Sequence, residues 1–248
     1  MRQALGFLTI FGRSSTPTDA TRAWFAPVGA IVGALLGLLW WGASQAWPPL
    51  VAGALVVVAD LVLTGALHLD GLADSADGLL PHLTRDRRLE VMSAPDVGAF
   101  AVATVAATLL LRWSAAAALP VSGWRAVALY AGLWSFSRGA MAVAMTAVPY
   151  ARATTGGGLA SAFVGEVDDR RRAVQVALLV LIAAGLGSAG CLLGRGFAGA
   201  IALCAAALAV AAVVWLGVRR LGGFTGDVLG AAGVLAETVG LVVAAAKW

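Results

Sequence analysis

Three carboxylates in the stretch His68–Gly78 are the residues of this chain best suited to chemistry. Asp70, Asp74 and Asp77 lie at positions i, i+4 and i+7, and at about 100° per residue these positions share one face of a helix. The segment Leu50–Leu67 before them is almost wholly apolar, so the carboxylates would repel one another beside a membrane unless a cation neutralised them. Oxygen ligands suit Mg²⁺, which commonly binds together with a phosphate. The stretch therefore predicts a magnesium site for a phosphate-bearing substrate at a membrane surface.

Two simpler interpretations of the acidic stretch compete with a magnesium site. Three acids with interleaved glycines also occur in solvated loops, but such a loop has no need of helical spacing. An EF-hand loop places ligands at alternate positions and a Glu at the twelfth, whereas the twelfth residue counted from Asp70 is Pro81. The helical magnesium site remains the favoured interpretation.

The composition is that of an integral membrane protein. Of the 248 residues, 60% are hydrophobic and 12% are charged, whereas a soluble domain carries about twice that share of charge. Apolar segments of membrane-crossing length predict an all-α, polytopic transmembrane helical bundle of about seven spans, in a single domain covering residues 1–248. Residues 1–22 are predicted to form an interfacial N-terminal segment, and the second span, at about residues 50–69, is predicted to carry the acidic helix.

The basic residues predict which side of the membrane the polar loops occupy. With seven spans, the N-terminus, the acidic loop and the loops at residues 149–172 and 219–227 lie on one side. The basic residues there are Arg2, Arg13, Arg22, Arg85, Arg87, Arg88, Arg152, Arg170, Arg171, Arg172, Arg219 and Arg220, against Arg125, Arg195 and Lys247 on the other. This excess places the active site on the cytoplasmic face. The basic pI follows from topology and gives no indication of nucleic-acid binding.

Arginines on the predicted cytoplasmic side are candidates for holding phosphates. A guanidinium pairs with phosphate oxygens through two parallel hydrogen bonds, and Arg85, Arg88 and Arg152 lie in the loops nearest the acidic stretch. The same charges also orient the spans in the membrane without any ligand. For a single loop arginine, both interpretations stay open.

Charged residues inside the apolar spans need partners. Arg138 lies about ten residues from the nearest loop and is predicted to contact substrate or to pair with an acid. Asp60 is expected to pair with Arg112 or Arg138, and Glu237 to face the bundle interior. Because intramembrane charges also mark translocation paths, a transporter is an alternative function. The two halves of the chain show no matching broken helices, which inverted repeats would produce.

Two further polar groups bear on the site. His68 faces away from the three acids on an ideal helix, and it reaches them only if Gly71 loosens the turn. The glycine-rich stretch at residues 222–230 offers backbone N–H groups to an anion at a helix start; there Thr225 is a candidate substrate contact, and Asp227 is expected to cap the helix or to add a metal oxygen. No Ser-His-Asp or Cys-His set is evident, which fits direct phosphoryl transfer, where a metal and arginines carry the charge.

The sequence resembles the cobalamin synthase family, the adenosylcobinamide-GDP ribazoletransferases, over essentially its whole length. The run Thr64–Gly78 is similar to the family's acidic signature, and Leu221–Ala231 is similar to a second family motif. Shorter pieces agree in order and spacing: Phe7–Thr9, Pro27–Gly29, Arg88–Met92, Ser137–Arg138 and Tyr150–Arg152. The acidic motif is also similar to that of the CDP-alcohol phosphotransferases, whose aspartates hold paired metals over a pyrophosphate. Their full signature is absent, because Asp74 stands where an Arg would follow Ala73.

The resemblance implies a reaction and its setting. α-Ribazole, or its 5′-phosphate, would be joined to adenosylcobinamide-GDP with release of GMP, forming adenosylcobalamin or its 5′-phosphate. The enzyme would be a Mg²⁺-dependent phosphotransferase, multi-pass in the bacterial inner membrane, with the lipid bilayer as its medium. Another CDP-alcohol-type membrane phosphotransferase is the nearer alternative. A homo-oligomer is permitted by the tryptophans and small-residue faces but is not specified.

The resemblance also implies the roles of individual residues. Asp70, Asp74 and Asp77 would bind the metal, and Arg138, Arg152 and Asp227 would contact the substrate or the metal. The base that receives the acceptor's proton would be His68, an aspartate such as Asp77, or water. The family often has Asp-Ser-Arg where this chain has Ala94, Pro95 and Asp96. Asp96 would then supply a carboxylate from a shifted position, or that oxygen is dispensable.

Overall fold

A computed structural model describes residues 1–11, 19–152 and 169–247, which form ten α-helices, one short 3₁₀ helix at Asp19–Trp24 and no strand. The α-helices are α1 (Arg2–Leu8), α2 (Phe25–Ala46), α3 (Pro49–Thr64), α4 (Leu67–Leu79), α5 (Arg85–Val91), α6 (Ala99–Ala118), α7 (Trp124–Ala147), α8 (Asp169–Arg195), α9 (Phe197–Leu221) and α10 (Gly226–Ala244). The predicted all-α class is confirmed. Arg13 and the rest of residues 12–18, within the predicted interfacial segment, lie outside the described residues.

Eight helices of the described chain account for the predicted bundle, two of which form one bent segment. Helices α2, α6, α8, α9 and α10 are long and apolar enough to cross a membrane, and α3 with α4 forms a sixth candidate that is bent. Helix α7 has 24 residues, about 36 Å at 1.5 Å per residue, and it packs against both α2 and α8. About seven spans is therefore a consistent description of the bundle.

The predicted second span ends earlier than expected. Helix α3 stops at Thr64, and Gly65 and Ala66 adopt left-handed backbone conformations with φ of 59° and 55°. Helix α4 then leaves at 91° to α3. The span predicted at about residues 50–69 therefore carries the acidic helix, but through a break that the prediction did not include. The bend turns the acidic helix across the bundle, where α4 packs against α10 and α6.

Small residues in α2 allow close contact with α7. A Cβ atom added at Gly29 or Gly33 would collide with the backbone carbonyl oxygen of Trp134 or Tyr130 in α7. No larger residue fits at these positions without separating the two helices. This contact fixes α7, which carries Arg138 and Met141, against the first span.

Four buried charges form one neutral network inside the bundle. Arg112 pairs with Asp60 and also with Glu237, whose Oε2 lies 2.9 Å from Arg112 Nη2. The other oxygen of Glu237 lies 2.7 Å from Arg138 Nη1. The Asp60–Arg112 pair and the interior position of Glu237 are as predicted, and Arg138 pairs with an acid, one of its two predicted roles. The intramembrane charges that suggested a transporter thus neutralise one another.

Candidate active site

A partly enclosed cavity of about 240 Å³ lies where α4 meets the start of α10. Its polar lining consists of His68, Asp70, Arg152 and Asp227. These four residues come from three separate parts of the chain. The fold therefore gathers at one place four of the polar side chains that the sequence singled out.

The contact between α4 and α10 brings Asp227 beside the acidic helix. A Cβ at Gly71 would lie 2.9 Å from the Cα of Asp227, and a Cβ at Gly230 would lie 3.2 Å from the Cα of His68. At both points one helix touches the backbone of the other through a glycine. Side chains that flank these glycines, including Asp70, are consequently held at the rim of the same cavity.

Thr225 begins α10 and orients Asp227. Its Oγ1 accepts a hydrogen bond from the backbone N–H of Val228 at 3.2 Å, the bond of an N-cap residue. The same hydroxyl donates to Asp227 Oδ2 at 3.2 Å. Thr225 is 1% exposed, so in this structure it supports the site from within rather than meeting a substrate. Of the two predicted roles of Asp227, the helix cap belongs to Thr225.

A short backbone bridge places Arg152 opposite Asp227. The N–H of Ala151 donates to the carbonyl of Phe224 at 2.8 Å, and the N–H of Phe224 donates to the carbonyl of Pro149 at 2.9 Å. Arg152 then extends toward the start of α10, with its Nη2 3.6 Å from Asp227 Oδ2. Its Nη1 also donates to Ser93 Oγ at 2.6 Å. The guanidinium is thus fixed at the cavity wall, as the phosphate-holding prediction requires.

Asp70 and Asp74 stand at the acidic edge of the site. Asp70 is exposed and lines the cavity. Asp74, one helical turn later, is only partly exposed, and the negative charges of Asp227, Asp70 and Asp77 act on it while Arg152 offsets them. Among the described residues whose charges act on Asp74, three carboxylates outnumber the guanidinium of Arg152, and a divalent cation would neutralise this excess of negative charge.

Asp77 is placed differently from the other two acids of the motif. Its Oδ2 accepts a hydrogen bond from the backbone N–H of Gly98 at 2.6 Å, and its Oδ1 accepts one from Ala101 at 3.0 Å. These N–H groups begin α6 and have no partner within that helix. The carboxylate therefore caps α6 electrostatically, and the prediction that Asp77 binds metal stays a prediction.

The two loop arginines nearest the acidic stretch also bond to backbone. Arg88 is buried, and its Nη1 donates to the carbonyls of Gly78 and Leu79 at 2.6 and 3.0 Å, which closes the end of α4. Burial lowers the pKa of the Arg88 guanidinium, and the charge of Arg220 lowers it further. Arg85 donates to the carbonyls of Leu221 and Ala151, each at 2.8 Å. Their observed role is to join α5 to α4, α9 and the Arg152 loop, which differs from the predicted phosphate contact.

His68 lies on the cavity side of α4, contrary to the expectation for an ideal helix. It is 4% exposed, it lines the cavity, and neither of its ring nitrogens has a hydrogen-bond partner among the described residues. The sequence left open whether His68 reaches the site, and the structure places it in the cavity lining, with its backbone against Gly230 of α10. Asp96, in the turn before α6, is exposed and is not part of the cavity wall.

The fit of a metal to these residues rests on their donor chemistry. Asp70, Asp74 and Asp227 supply hard carboxylate oxygens of the kind that Mg²⁺ prefers. No three His, Cys, Asp or Glu side chains in the described ranges converge into a ready-made cage. Mg²⁺ commonly keeps several waters and takes one or two carboxylates together with substrate phosphates. This open group of carboxylates therefore suits Mg²⁺ bound together with a substrate better than it suits a structural metal.

Sequence reasoning missed the apolar side of the cavity. Phe7, Met92, Met141 and Tyr150 contribute this apolar part of its lining. Burial raises the pKa of the Tyr150 phenol, with Arg152 opposing the shift, so this side chain faces the cavity as a neutral group. Three of these residues could have been found, because Phe7, Met92 and Tyr150 belong to the motif pieces Phe7–Thr9, Arg88–Met92 and Tyr150–Arg152. No motif, spacing or periodicity indicated Met141.

The chain has clear relatives among characterised sequences. A family model described as cobalamin-5-phosphate synthase matches residues 1–245. An adenosylcobinamide-GDP ribazoletransferase of Chlorobium phaeovibrioides is 35% identical over 94% of this chain and 92% of the relative, and one of Bradyrhizobium diazoefficiens is 36% identical over 99% and 93%. One of Escherichia coli K12 is 35% identical over 88% and 84%. No solved structure matches. Since both kinds of match extend over nearly the entire sequence, the chain belongs to the cobalamin-5-phosphate synthase family.

Proposed function

We propose that this protein joins α-ribazole, or α-ribazole 5′-phosphate, to adenosylcobinamide-GDP and releases GMP. Family membership supports this reaction, and relatives of similar length carry the name of this transferase. The observation that carries the proposal is that Asp70, Asp227 and Arg152 line one cavity, while Asp74, one turn further along α4, lies within range of their charges. That arrangement offers carboxylate oxygens that can bind a cation and one guanidinium that can bind a diphosphate. Helices of membrane-spanning length support a multi-pass membrane enzyme.

Mg²⁺ is the proposed cofactor, held by Asp70, Asp74 and Asp227. When bound, it would neutralise the diphosphate and stabilise the charge that develops on the departing GMP. Asp77 is left out of this set because both of its oxygens already accept backbone hydrogen bonds. Arg152, which already lies at Asp227, supplies a second positive group for the same phosphates.

The chain's own residues then have distinct parts in the transfer. The ribazole hydroxyl oxygen forms a bond to the phosphorus nearer the corrinoid, and the bond from that phosphorus to the bridging oxygen breaks, so GMP leaves with the electron pair. His68, which lines the cavity with unpartnered ring nitrogens, is the proposed acceptor of the hydroxyl proton. Arg152 holds the phosphates, and Thr225 keeps Asp227 oriented.

The distribution of basic residues supports a cytoplasmic active site in the bacterial inner membrane. Arg85, Arg88 and Arg152 lie around the cavity, whereas Arg125 and Arg195 line a separate cleft with Pro120, beside the opposite ends of α6, α7 and α8. Because the more basic side of a membrane protein usually faces the cytoplasm, the cavity is assigned to that side. A homo-oligomer stays a prediction.

The direct test is GMP release by purified protein in detergent, with both substrates and with Mg²⁺ added or chelated. Asp74→Asn is expected to lower turnover by at least a hundredfold, because it removes a charge from the proposed cation edge. Glu90→Gln is the matched control, since Glu90 pairs only with Arg87 on the exposed surface of α5. Removing Mg²⁺ is expected to abolish turnover by the wild type and by the control.

Two results would count against the proposal. If Asp74→Asn turned over at the wild-type rate, the Asp74 carboxylate would have no role in the reaction. Equal rates of GMP release in EDTA and in Mg²⁺ would show that the reaction does not require Mg²⁺. Activity in detergent without any membrane compartment would also separate a transferase from a transporter, which releases no GMP.

A further inference from the structure

The apolar side of the cavity has no part in handling phosphates. Phe7 and Tyr150 present aromatic rings there, and Met92 and Met141 present thioethers. Both methionines are 3% exposed, so they form an interior wall rather than a lipid-facing surface. A site that bound only a diphosphate and a metal would not need an apolar wall.

This wall is rigidly supported. The Phe7 ring stacks on Phe25 with centroids 5.6 Å apart, and the Tyr150 ring packs on Phe224 with centroids 5.3 Å apart. Thioether sulfur makes favourable contacts with aromatic rings. A flat, carbon-rich ring is therefore the kind of group that this surface would bind.

His68 gives an independent indication that the cavity receives a ligand. It is buried beside the wall, and within the described part of the chain neither of its ring nitrogens finds a hydrogen-bond partner. A buried imidazole without partners is costly. A ligand with hydroxyl groups, entering the cavity, would supply what the protein lacks.

The size of the cavity selects among the parts of the two substrates. Its volume of about 240 Å³ lies just below the range typical of ligand pockets, which is roughly 300 to 1,000 Å³. A nucleoside-sized group suits that space, whereas a corrinoid macrocycle does not. Both ribazole and the guanosine of the other substrate are nucleosides, so polarity must decide between them.

Polarity favours the ribazole base. The edge of guanine carries several hydrogen-bonding groups, which would lie unpaired against Phe7, Met92 and Met141 at a considerable cost. The benzimidazole base of ribazole has methyl groups and a single free ring nitrogen, so its edge is almost wholly apolar. Its ribose hydroxyls would then point toward His68 and the charged side of the cavity.

We propose that the wall formed by Phe7, Met92, Met141 and Tyr150 is the binding subsite for the benzimidazole base of the acceptor nucleoside, and that it determines acceptor specificity. This inference rests on the proposed function, because it names the part of the acceptor that the same cavity receives. The corrinoid stays outside the cavity, and the diphosphate lies at its charged edge.

The test measures the Michaelis constant, KM, for each of the two substrates separately. Met141→Ala is expected to raise the KM for α-ribazole by about tenfold, the effect of lost apolar contact in a pocket, and to leave the KM for adenosylcobinamide-GDP unchanged. Met145→Ala, one turn further along α7 and not part of the cavity wall, is the matched control and leaves both constants unchanged. Met141→Leu, which keeps the volume, is expected to retain near-normal values.

A ratio of kcat/KM values for two acceptors, measured on the same protein, is not affected by partial misfolding. The preference of kcat/KM for α-ribazole over the riboside of unmethylated benzimidazole does not depend on the folded fraction. It is expected to fall by about tenfold in Met141→Ala. An unchanged ratio, or a raised KM for adenosylcobinamide-GDP with an unchanged KM for ribazole, overturns the inference.

A failure of the proposed reaction can be distinguished from a failure of the proposed subsite. If the wild type releases no GMP, the proposed function fails, and calorimetric titration of α-ribazole into the wild type and Met141→Ala still decides the subsite. Binding that weakens about tenfold in the variant supports it. No binding to the wild type, or equal binding to both proteins, refutes it.

Discussion

Replacing Glu237 by Gln tests the buried charge network most directly. One oxygen of Glu237 accepts a hydrogen bond from Ser137 at 2.6 Å and forms an ion pair with Arg138 at 2.7 Å, and the other lies 2.9 Å from Arg112. Its side chain has 0% exposure. The amide of Gln removes the negative charge and turns an N–H₂ group toward one of these donors. Two guanidinium groups are then left with the single charge of Asp60.

The expected loss follows from this geometry. Removing one partner of a buried ion pair destabilises a protein by about 3–5 kcal/mol, because the remaining charge stays buried without compensation. For a chain of this size, 1 kcal/mol shifts the melting temperature by about 2–4 °C. We therefore expect Glu237→Gln to lower the melting temperature by on the order of 10 °C.

The assay is thermal unfolding in detergent, followed by tryptophan fluorescence. Glu90→Gln makes the same chemical change in an exposed i,i+3 pair with Arg87. Such surface pairs contribute about 0–1 kcal/mol, so this control should melt within about 4 °C of the wild type. The double variant Glu237→Gln with Arg138→Met restores neutrality around Asp60 and Arg112 and should recover at least half of the loss.

A wild-type melting temperature for Glu237→Gln would refute the reasoning. So would a double variant less stable than Glu237→Gln alone. If Glu237→Gln kept its stability but lost activity out of proportion, Arg138 would be a substrate contact rather than a member of a structural network.

Two further predictions concern the groups around the cavity. Asp77→Asn should weaken the cap of α6 and lower stability by about 1–2 kcal/mol, while the Mg²⁺ concentration that gives half-maximal turnover stays unchanged; a higher Mg²⁺ requirement at normal melting temperature would instead make Asp77 a metal ligand. Gly223→Ala should lower turnover at least tenfold, because its Cβ would collide with the carbonyl oxygen of Pro149 and displace the bridge that holds Arg152. Gly42→Ala, whose Cβ meets no atom within 4 Å, is the matched control and should be neutral or slightly stabilising.

Much of the architecture could be predicted because membrane insertion leaves strong local signals. Long apolar segments mark spans whatever they pack against, and Asp60 and Glu237 needed partners wherever they lay in the bundle. The break after Thr64 could not be predicted from such signals, since Gly65 and Ala66 interrupt a segment that is helical on both sides. Only the packing of α4 on α10 makes that break recognisable.

The amino-acid sequence by itself determined the membrane class, the acidic motif and the family, because hydropathy, spacing and motif order are properties of the chain alone. The tertiary structure decided which polar groups share a cavity. Asp70, Asp74 and Asp227 come together through the bend at Gly65 and the glycine contact at Gly71, while Asp77 is directed to the start of α6. The physical reason is that a carboxylate binds whichever donors or cations lie within a few ångströms, and neighbours distant in sequence are set only by how the helices pack.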